Sequence, residues 1–261
     1  MIRQLVTKRE LLEQFKAMGI REGMVLLVHS SLASFGYVVG GSQTVVDALF
    51  EAVGYEGTII MPMFNRDNSE PSYWKDPAID HQLMQVIRET TPSFQPKESD
   101  CVRMGRVVDN FRRRDGIIFS KHPSSSFAAW GKYAKLICNR HSLHFSLSEE
   151  SPLARIFELK GYTLLLGVDY TKATILHLAE YRSGIRPIIL QGGAVEIAQE
   201  KSWKKYLDIE LDSSSFVKVG QLLEERDLVT RKTIGEAPCR LFPVTAGVEC
   251  AEQYFSSLLN Y

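Results

Sequence analysis

Residues 24–64 read MVLLVHSSLASFGYVVGGSQTVVDALFEAVGYEGTIIMPMF, and this stretch decides the fold class. It begins with an almost continuously apolar run from Met24 to Ser31, which is typical of a strand buried on both faces of a sheet. The segment from Gln43 to Val53 has its apolar residues at helical spacing and ends at a glycine, and a second apolar run follows from Gly57 to Phe64. The pattern predicts a strand, a helix and a strand in succession, the unit from which parallel or mixed sheets are built.

The same alternation continues along the chain. Thr7 and Glu10 have the spacing of a capping box at the start of an N-terminal helix. Further strands are predicted over 162–168 and near 239–244, with a hairpin formed by 187–190 and 195–198 and with Gly192 and Gly193 between them. Further helices are predicted near 81–90 and over 127–139, 153–159, 174–182, 214–226 and 245–260. Because there is no repeat, linker or break in composition, residues 1–261 are predicted to form a single α/β domain.

The composition excludes several classes of protein. The 261 residues include 31 Lys and Arg against 31 Asp and Glu, and 44% are hydrophobic. Neither the low hydrophobicity nor the high net charge of a disordered chain is present, and the basic excess of a nucleic-acid binder is missing. We find no apolar run of signal-peptide or membrane-spanning length, so neither a leader nor a membrane partner is expected. The four scattered cysteines predict free thiols and a cytoplasmic location.

Two polar stretches follow predicted strands, where ligands of open α/β sheets usually bind. The first runs from His29 to Ser34 and is followed by Gly40, Gly41 and Ser42 at a helix start, a pattern that suits a phosphate group or simply caps the helix. The second runs from Lys121 to Phe127, where a histidine and three serines could bind a ligand or cap the following helix.

A third stretch places a histidine and a carboxylate on one helix face. His177 and Glu180 are three residues apart, and a carboxylate can hold a histidine in the tautomer that a general base needs. The alternative is a packed or solvated histidine. His141 and His144 have a similar spacing but lack a nearby third ligand, so no metal site is predicted.

Taken in order, these motifs resemble the aminoglycoside 3-N-acetyltransferases of the antibiotic acetyltransferase family, which is distinct from the GNAT acetyltransferases. The matching blocks are LLVHSSL (26–32), VVGG (38–41), GTIIMP (57–62), FNRDNSEPSYW (64–74), RMG (103–105), HPSSSFAAWG (122–131), SPLARIFEL (151–159), LLLGV (164–168) and TILHLAE (174–180). The resemblance implies an α/β/α sandwich of three layers around a mixed sheet, and transfer of acetyl from acetyl-CoA to the 3-amino group of an aminoglycoside antibiotic.

The resemblance also implies roles for individual residues. His177 would be the general base, and Glu180 would be its partner or a carboxylate that binds the acceptor. The coenzyme A side would be lined by His29, Ser30, Ser31, Ser34, Gly40, Gly41, Ser42, Met104, His122, Pro123, Ser125 and Ser126. The acceptor side would use Asp67, Glu149, Glu150 and Thr174, because a cationic acceptor needs free carboxylates.

The chain departs from the family pattern at Thr171 and Ala173, where Asp and Asn are usual, and at Asp109, Asp115 and Phe119. These departures bear on the acceptor rather than on the coenzyme. Two alternatives therefore stay open: an acyltransferase for a different small amine, and a coenzyme A-binding module without catalysis. The oligomeric state is not predicted.

Overall fold

The computed structural model describes residues 4–259. Its helices are α1 (Lys8–Ala17), α2 (Gly41–Val53), α3 (His81–Thr90), α4 (Gly105–Arg112), α5 (Ala134–Cys138), α6 (Pro152–Glu158), α7 (His177–Ser183), α8 (Phe216–Glu225) and α9 (Val244–Leu259). Its strands are β1 (Leu5–Val6), β2 (Val25–Ser30), β3 (Tyr37–Val38), β4 (Thr58–Phe64), β5 (Ile118–Phe119), β6 (Ser125–Gly131), β7 (Tyr162–Leu166), β8 (Ile188–Ile197), β9 (Glu200–Ile209), β10 (Thr230–Ile234) and β11 (Ala237–Pro243).

The central sheet contains seven strands in the order β10-β11-β7-β2-β4-β6-β5. Strand β2 pairs in parallel with both β4 and β7, whereas the outer pairs are antiparallel. The predicted β2-α2-β4 unit is therefore confirmed, and it forms the middle of a mixed sheet. The carboxyl ends of β2, β4 and β7 meet at one edge, where ligands bind in sheets of this kind.

Helices cover both faces of this sheet. Leu26 and Val28 face the layer of α1, α2 and α4, while Val25 and Leu27 face the layer of α5 to α9. All four residues are buried, as the continuous apolar run predicted. The predicted α/β/α sandwich around a mixed sheet is confirmed.

Strands β8 and β9 form a separate hairpin of two ten-residue strands. The sequence predicted a shorter hairpin that turns at Gly192 and Gly193, and this was wrong. Both glycines lie inside β8, and the turn is formed by Ala198 and Gln199, whose φ angles are 51° and 69°. Two residues with positive φ are what a tight hairpin turn requires, but alanine and glutamine give no turn signal in the sequence.

The predicted helix over 127–139 was also wrong in its first half. Residues Ser125–Gly131 form β6, which pairs along its whole length with β4, and only Ala134–Cys138 is helical. A short apolar run such as FAAW has no clear period, so tertiary pairing decides between helix and strand. The capping box of Thr7 and Glu10 is confirmed, and the side chain of Ser151 caps α6. Among the helices between residues 4 and 259, none combines the length and the apolar character that a membrane span needs.

Candidate active site

A cleft of about 1190 Å³ opens at the sheet edge where β2, β4 and β7 end. Its lining includes His29 and Ser30 at the end of β2, Phe64 at the end of β4 and Gly167 just after β7. His177, the first residue of α7, closes one side. The parallel strands thus bring residues from distant parts of the chain into one site.

His177 and Glu180 form a close pair beside this cleft. The His177 Nδ1 atom lies 2.5 Å from the Glu180 Oε2 atom, and the Glu180 side chain is wholly buried. Because a carboxylate accepts, the Nδ1 atom donates its proton, and in the neutral ring the Nε2 atom therefore carries the lone pair. Phe216 packs edge-on against the ring with centroids 4.8 Å apart. The predicted pair is therefore formed, with the tautomer that a general base needs.

Burial is the main cause that lowers the pKa of His29 to about 3, and the nearby positive charges of His177 and Lys172 lower it further. Its ring is therefore neutral at pH 7. Within the described residues, neither its Nε2 atom nor the hydroxyl of Ser30 has a hydrogen-bond partner, although both are buried. Unpaired buried polar groups are rare, and here both belong to residues that line the cleft.

Cationic side chains dominate the charge of the lining. Arg103, Arg106 and Lys172 are exposed in the cleft, and none of them forms a salt bridge within residues 4–259. By contrast, Arg112, Arg113 and Arg114 are each paired with an aspartate. Sequence reasoning assigned no role to the three cleft cations, since only their positions in the folded chain distinguish them from other surface cations.

Two helices begin at the cleft wall. Gly41 starts α2 and Gly105 starts α4, and both residues line the cleft. Gly40, the residue before α2, has a φ of 80°, a left-handed conformation that a residue other than glycine adopts only at a cost. The amino ends of helices favour negative charge, so these positions add to the field of the three cations.

The predicted site residues fall into two groups. Those that line the cleft are His29, Ser30, Ser31, Gly41, Met104, Thr174 and His177. Ser34 lies outside the lining but contacts two residues of it. Its hydroxyl lies 2.9 Å from the Ser31 Oγ atom and donates to the Gly167 carbonyl at 2.8 Å. Gly40 and Ser42 flank Gly41 but are not part of the lining.

The stretch around His122 lies outside the cleft lining and forms a turn before β6. The Nδ1 atom of His122 accepts from the backbone N–H groups of Ser124 and Ser125, at 3.2 and 2.9 Å. Its Nε2 atom donates to the Leu143 carbonyl at 3.2 Å, and Ser126 donates to the His122 carbonyl at 2.6 Å. Both ring nitrogens are thus occupied by backbone. For His122, this arrangement favours the alternative in which the ring holds the local structure, with Pro123 inside the same turn.

The carboxylates predicted for the acceptor side are also outside the lining. Asp67 is exposed in the loop after β4, and Glu150 is exposed before α6. Glu149 lines a second cavity of about 410 Å³ and is bound by Arg182 at 2.7 Å. The carboxylate that does line the cleft is Asp169, which accepts from the backbone N–H of Thr171.

The remaining titratable groups define no metal site. Within residues 4–259, no group of three or more histidine, cysteine, aspartate or glutamate side chains is placed to hold a metal ion. His141 bonds Ser120 and the carbonyl of Ser146, and His144 accepts from the backbone N–H of Leu207. The cysteines at 101, 138, 239 and 250 are free, as predicted, and all four are buried.

Comparisons with known proteins agree with this architecture. A sequence model described as aminoglycoside 3-N-acetyltransferase matches residues 27–256. The chain is 39% identical over 250 residues to the SPbeta prophage-derived aminoglycoside N(3')-acetyltransferase-like protein YokD of Bacillus subtilis strain 168, covering 95% of this chain and 92% of that protein. The crystal structure of YokD matches with a TM-score of 0.95 over 98% of this chain and 96% of that chain.

Two further relatives are named as aminoglycoside acetyltransferases. Aminoglycoside N(3)-acetyltransferase VIII of Streptomyces fradiae is 31% identical over 231 residues, which is 84% of this chain and 76% of that protein. A histidine-to-alanine mutant of AAC(3)-IVa, solved in complex with a gentamicin, is 28% identical with a TM-score of 0.83, over 98% of this chain and 91% of that chain. The fold and these matches define an acetyltransferase enzyme. The chain belongs to the aminoglycoside 3-N-acetyltransferase family.

Proposed function

We propose that this chain, acting as a single domain over residues 1–261, transfers acetyl from acetyl-CoA to the 3-amino group of an aminoglycoside, with His177 as general base. The observation that carries the proposal is the His177 and Glu180 pair at the cleft. The Nδ1 atom of His177 is hydrogen-bonded to a buried carboxylate, and no protein group within residues 4–259 forms a hydrogen bond with its Nε2 atom.

His177 supplies what amine acetylation requires. An amine attacks a carbonyl carbon only through its lone pair, and the attacking nitrogen must lose a proton as the new bond forms. In the proposal the Nε2 atom accepts that proton and later returns it to the departing sulfur. Glu180 stabilises the imidazolium that exists between these two steps, as the carboxylate of a catalytic triad does. A base of this kind contributes about 10²- to 10⁴-fold to the rate.

The residues of the cleft fit coenzyme A, whose bound acetyl thioester supplies the acyl group. Arg103, Arg106 and Lys172 are unpaired within the described chain, and the amino ends of α2 and α4 lie among them. Cations and helix amino ends are the groups that bind phosphates in proteins. We assign the phosphates to this wall.

Ser30 is the best candidate for stabilising the oxyanion of the tetrahedral intermediate. The neighbouring Ser31 N–H is already used by the Leu166 carbonyl at 2.9 Å, whereas the Ser30 hydroxyl has no partner among the described residues. A hydroxyl without a partner can rotate toward the cleft and donate to the oxygen on which negative charge develops. Removing one such donor lowers kcat by about 10²- to 10³-fold in other enzymes.

A second candidate acceptor, a small amine of lower charge, is favoured by the charge of the lining. Polycationic acceptors need free carboxylates, but Asp67, Glu149 and Glu150 lie outside the cleft lining and Asp169 is the carboxylate within it. Thr171 lines the cleft and Ala173 lies two residues further along, at positions where the resemblance implies Asp and Asn. The gentamicin complex of AAC(3)-IVa supports the aminoglycoside.

The test is release of the coenzyme A thiol from acetyl-CoA in the presence of gentamicin, other aminoglycosides and simple diamines. We expect turnover that falls at least about 100-fold in His177→Gln. His81→Gln, which changes an exposed histidine of α3, is the matched control and should keep wild-type turnover. If His177→Gln retained the wild-type rate, the assignment of the base would be wrong.

The same assay separates the alternatives. Turnover with diamines but not with aminoglycosides would establish the second acceptor. Calorimetric binding of coenzyme A without thiol release for any amine would indicate a binding module. A cytoplasmic location is part of the proposal, and it is supported by the four free thiols, which a reducing compartment keeps in that state.

A further inference from the structure

We infer that Arg186 is a positioning residue that fixes the tautomer of His177 through Glu180; the inference rests on the proposed role of His177. The two oxygens of the buried Glu180 carboxylate are held separately. The Oε2 atom faces His177, while the Oε1 atom accepts from the Arg186 Nε atom at 2.6 Å and from the backbone N–H of Asp212 at 3.4 Å. The carboxylate is thus clamped between the base and a guanidinium.

Arg186 is itself held in a fixed orientation. Its NH1 group lies 3.1 Å from the Asp212 carboxylate, and its NH2 group donates to the Asp212 carbonyl at 3.0 Å. Ser214 fixes that carboxylate through its backbone N–H and its hydroxyl, each at 2.9 Å. Arg186 precedes β8 and Asp212 follows β9, so the two ends of the hairpin together hold Glu180 in place.

Loss of Arg186 would change what Glu180 presents to the ring. A carboxylate without solvent contact is costly to keep ionised unless a cation and donors surround it. Without the guanidinium, Glu180 is expected to bind a proton and to donate it to the Nδ1 atom of His177. The ring proton then moves to the Nε2 atom, and the lone pair no longer faces the cleft.

The position of Arg186 separates this role from substrate binding. Arg186 is absent from the cleft lining but lines the second cavity, together with the far side of Glu180. Its side chain is 19% exposed there. A guanidinium ion from solution could therefore reach the space that a truncated Arg186 would leave.

The kinetic experiment compares wild type with Arg186→Ala, using acetyl-CoA and gentamicin. Outer partners of functional groups typically contribute about 10- to 100-fold, so we expect kcat to fall by that factor while both KM values change less than about threefold. Millimolar guanidinium chloride should restore kcat several-fold, and sodium chloride at equal ionic strength should not. Arg231→Ala breaks a surface pair with Glu224 and is the matched control, with wild-type kcat. An unchanged kcat, or equal effects of the two salts, would overturn the inference.

Nitrogen NMR of the His177 ring without substrates provides a readout that needs no turnover. We expect the proton on Nδ1 in wild type and on Nε2, or shared, in Arg186→Ala. If no amine were acetylated and the tautomer still changed, the proposed function would fail and the inference would stand. If transfer were observed and the tautomer stayed the same in the variant, only the inference would fail.

Conservative variants guard against a trivial loss of structure. Arg186→Lys keeps a cation beside Glu180 and should retain the Nδ1 proton. A complete change of tautomer in this variant would contradict the charge argument. If Arg186→Ala did not fold, Arg186→Gln, which keeps much of the side-chain volume without the charge, would take its place in both experiments with the same expected outcomes.

Discussion

Lowering the pH from 7 to 5 should destabilise this protein strongly, because two of its histidines are buried and a third is half-buried, all three as neutral rings. Burial is the main cause that lowers the pKa of His29 and of His122 from 6.5 to about 3, and that of His141 to about 4. In the unfolded chain these rings take up protons near pH 6.5. Stability is therefore complete above that pH and is lost as the pH falls from there toward the folded values.

The size of the effect follows from the displaced pKa values. Each ring contributes about 2 kcal/mol of lost unfolding free energy between pH 7 and pH 5, or about 5 to 6 kcal/mol for the three. The folded rings take up almost no proton in this range, so the loss is set by proton uptake in the unfolded chain. Domains are typically stable by about 5 to 15 kcal/mol, so the chain is expected to approach unfolding near pH 5.

Urea unfolding at several pH values measures this loss, and His122→Asn tests its origin. An asparagine oxygen can still accept from the Ser124 and Ser125 N–H groups but takes up no proton, so the loss between pH 7 and pH 5 should shrink by about 2 kcal/mol. His144→Gln, at an exposed position, controls for the removal of any histidine. A wild-type loss below about 1 kcal/mol over this range would refute the reasoning.

Other perturbations should give the following results. Thr7→Ala removes the side-chain half of the capping box and should lower the unfolding free energy by about 1 kcal/mol in urea. Gly220→Ala should lower the unfolding free energy by about 2 to 3 kcal/mol, because the new Cβ atom would lie 2.1 Å from the Tyr170 ring. This loss outweighs the better helix propensity of alanine, and an unchanged melting curve would contradict the packing. Arg103→Ala should weaken coenzyme A binding about 5- to 20-fold and reduce its salt dependence in calorimetry, whereas Arg114→Ala, whose guanidinium is already paired with an aspartate, should leave it unchanged.

The part of the fold that sequence predicted well is the part with strong local signals. Strand β2 could be predicted because its first four residues are all apolar and buried. Helix α1 could be predicted because Thr7 and Glu10 form a capping box at its first turn. Strand β6 was missed because its identity depends on pairing with β4, a contact that no local period encodes. The turn of the β8 and β9 hairpin was missed because Ala198 and Gln199 adopt a conformation that their side chains do not favour.

The candidate site divides in the same way. His177 and Glu180 could be paired from sequence since they are three residues apart on one helix, a spacing that fixes their proximity. The contact between Arg186 and Glu180 could not be predicted from sequence. Arg186 is held by Asp212, and the β8 and β9 hairpin separates these two residues along the chain. That Arg103 and Arg106 form no salt bridge within the described chain also emerges only in three dimensions.

The equal numbers of acidic and basic residues illustrate why the net charge of a sequence does not reveal the charge of its binding site. A total of 31 against 31 is compatible with any local arrangement, and here the cleft lining carries three unpaired cations against one carboxylate, Asp169, among the described residues. In a concave site, charges act together and at reduced dielectric, so this excess governs which ligands can enter. A polyanion neutralises this excess of positive charge directly. A polycation is repelled by it unless an anionic ligand is already bound to the three cations. Under the proposed function, a cationic acceptor would therefore be favoured only after the phosphates of coenzyme A had neutralised Arg103, Arg106 and Lys172.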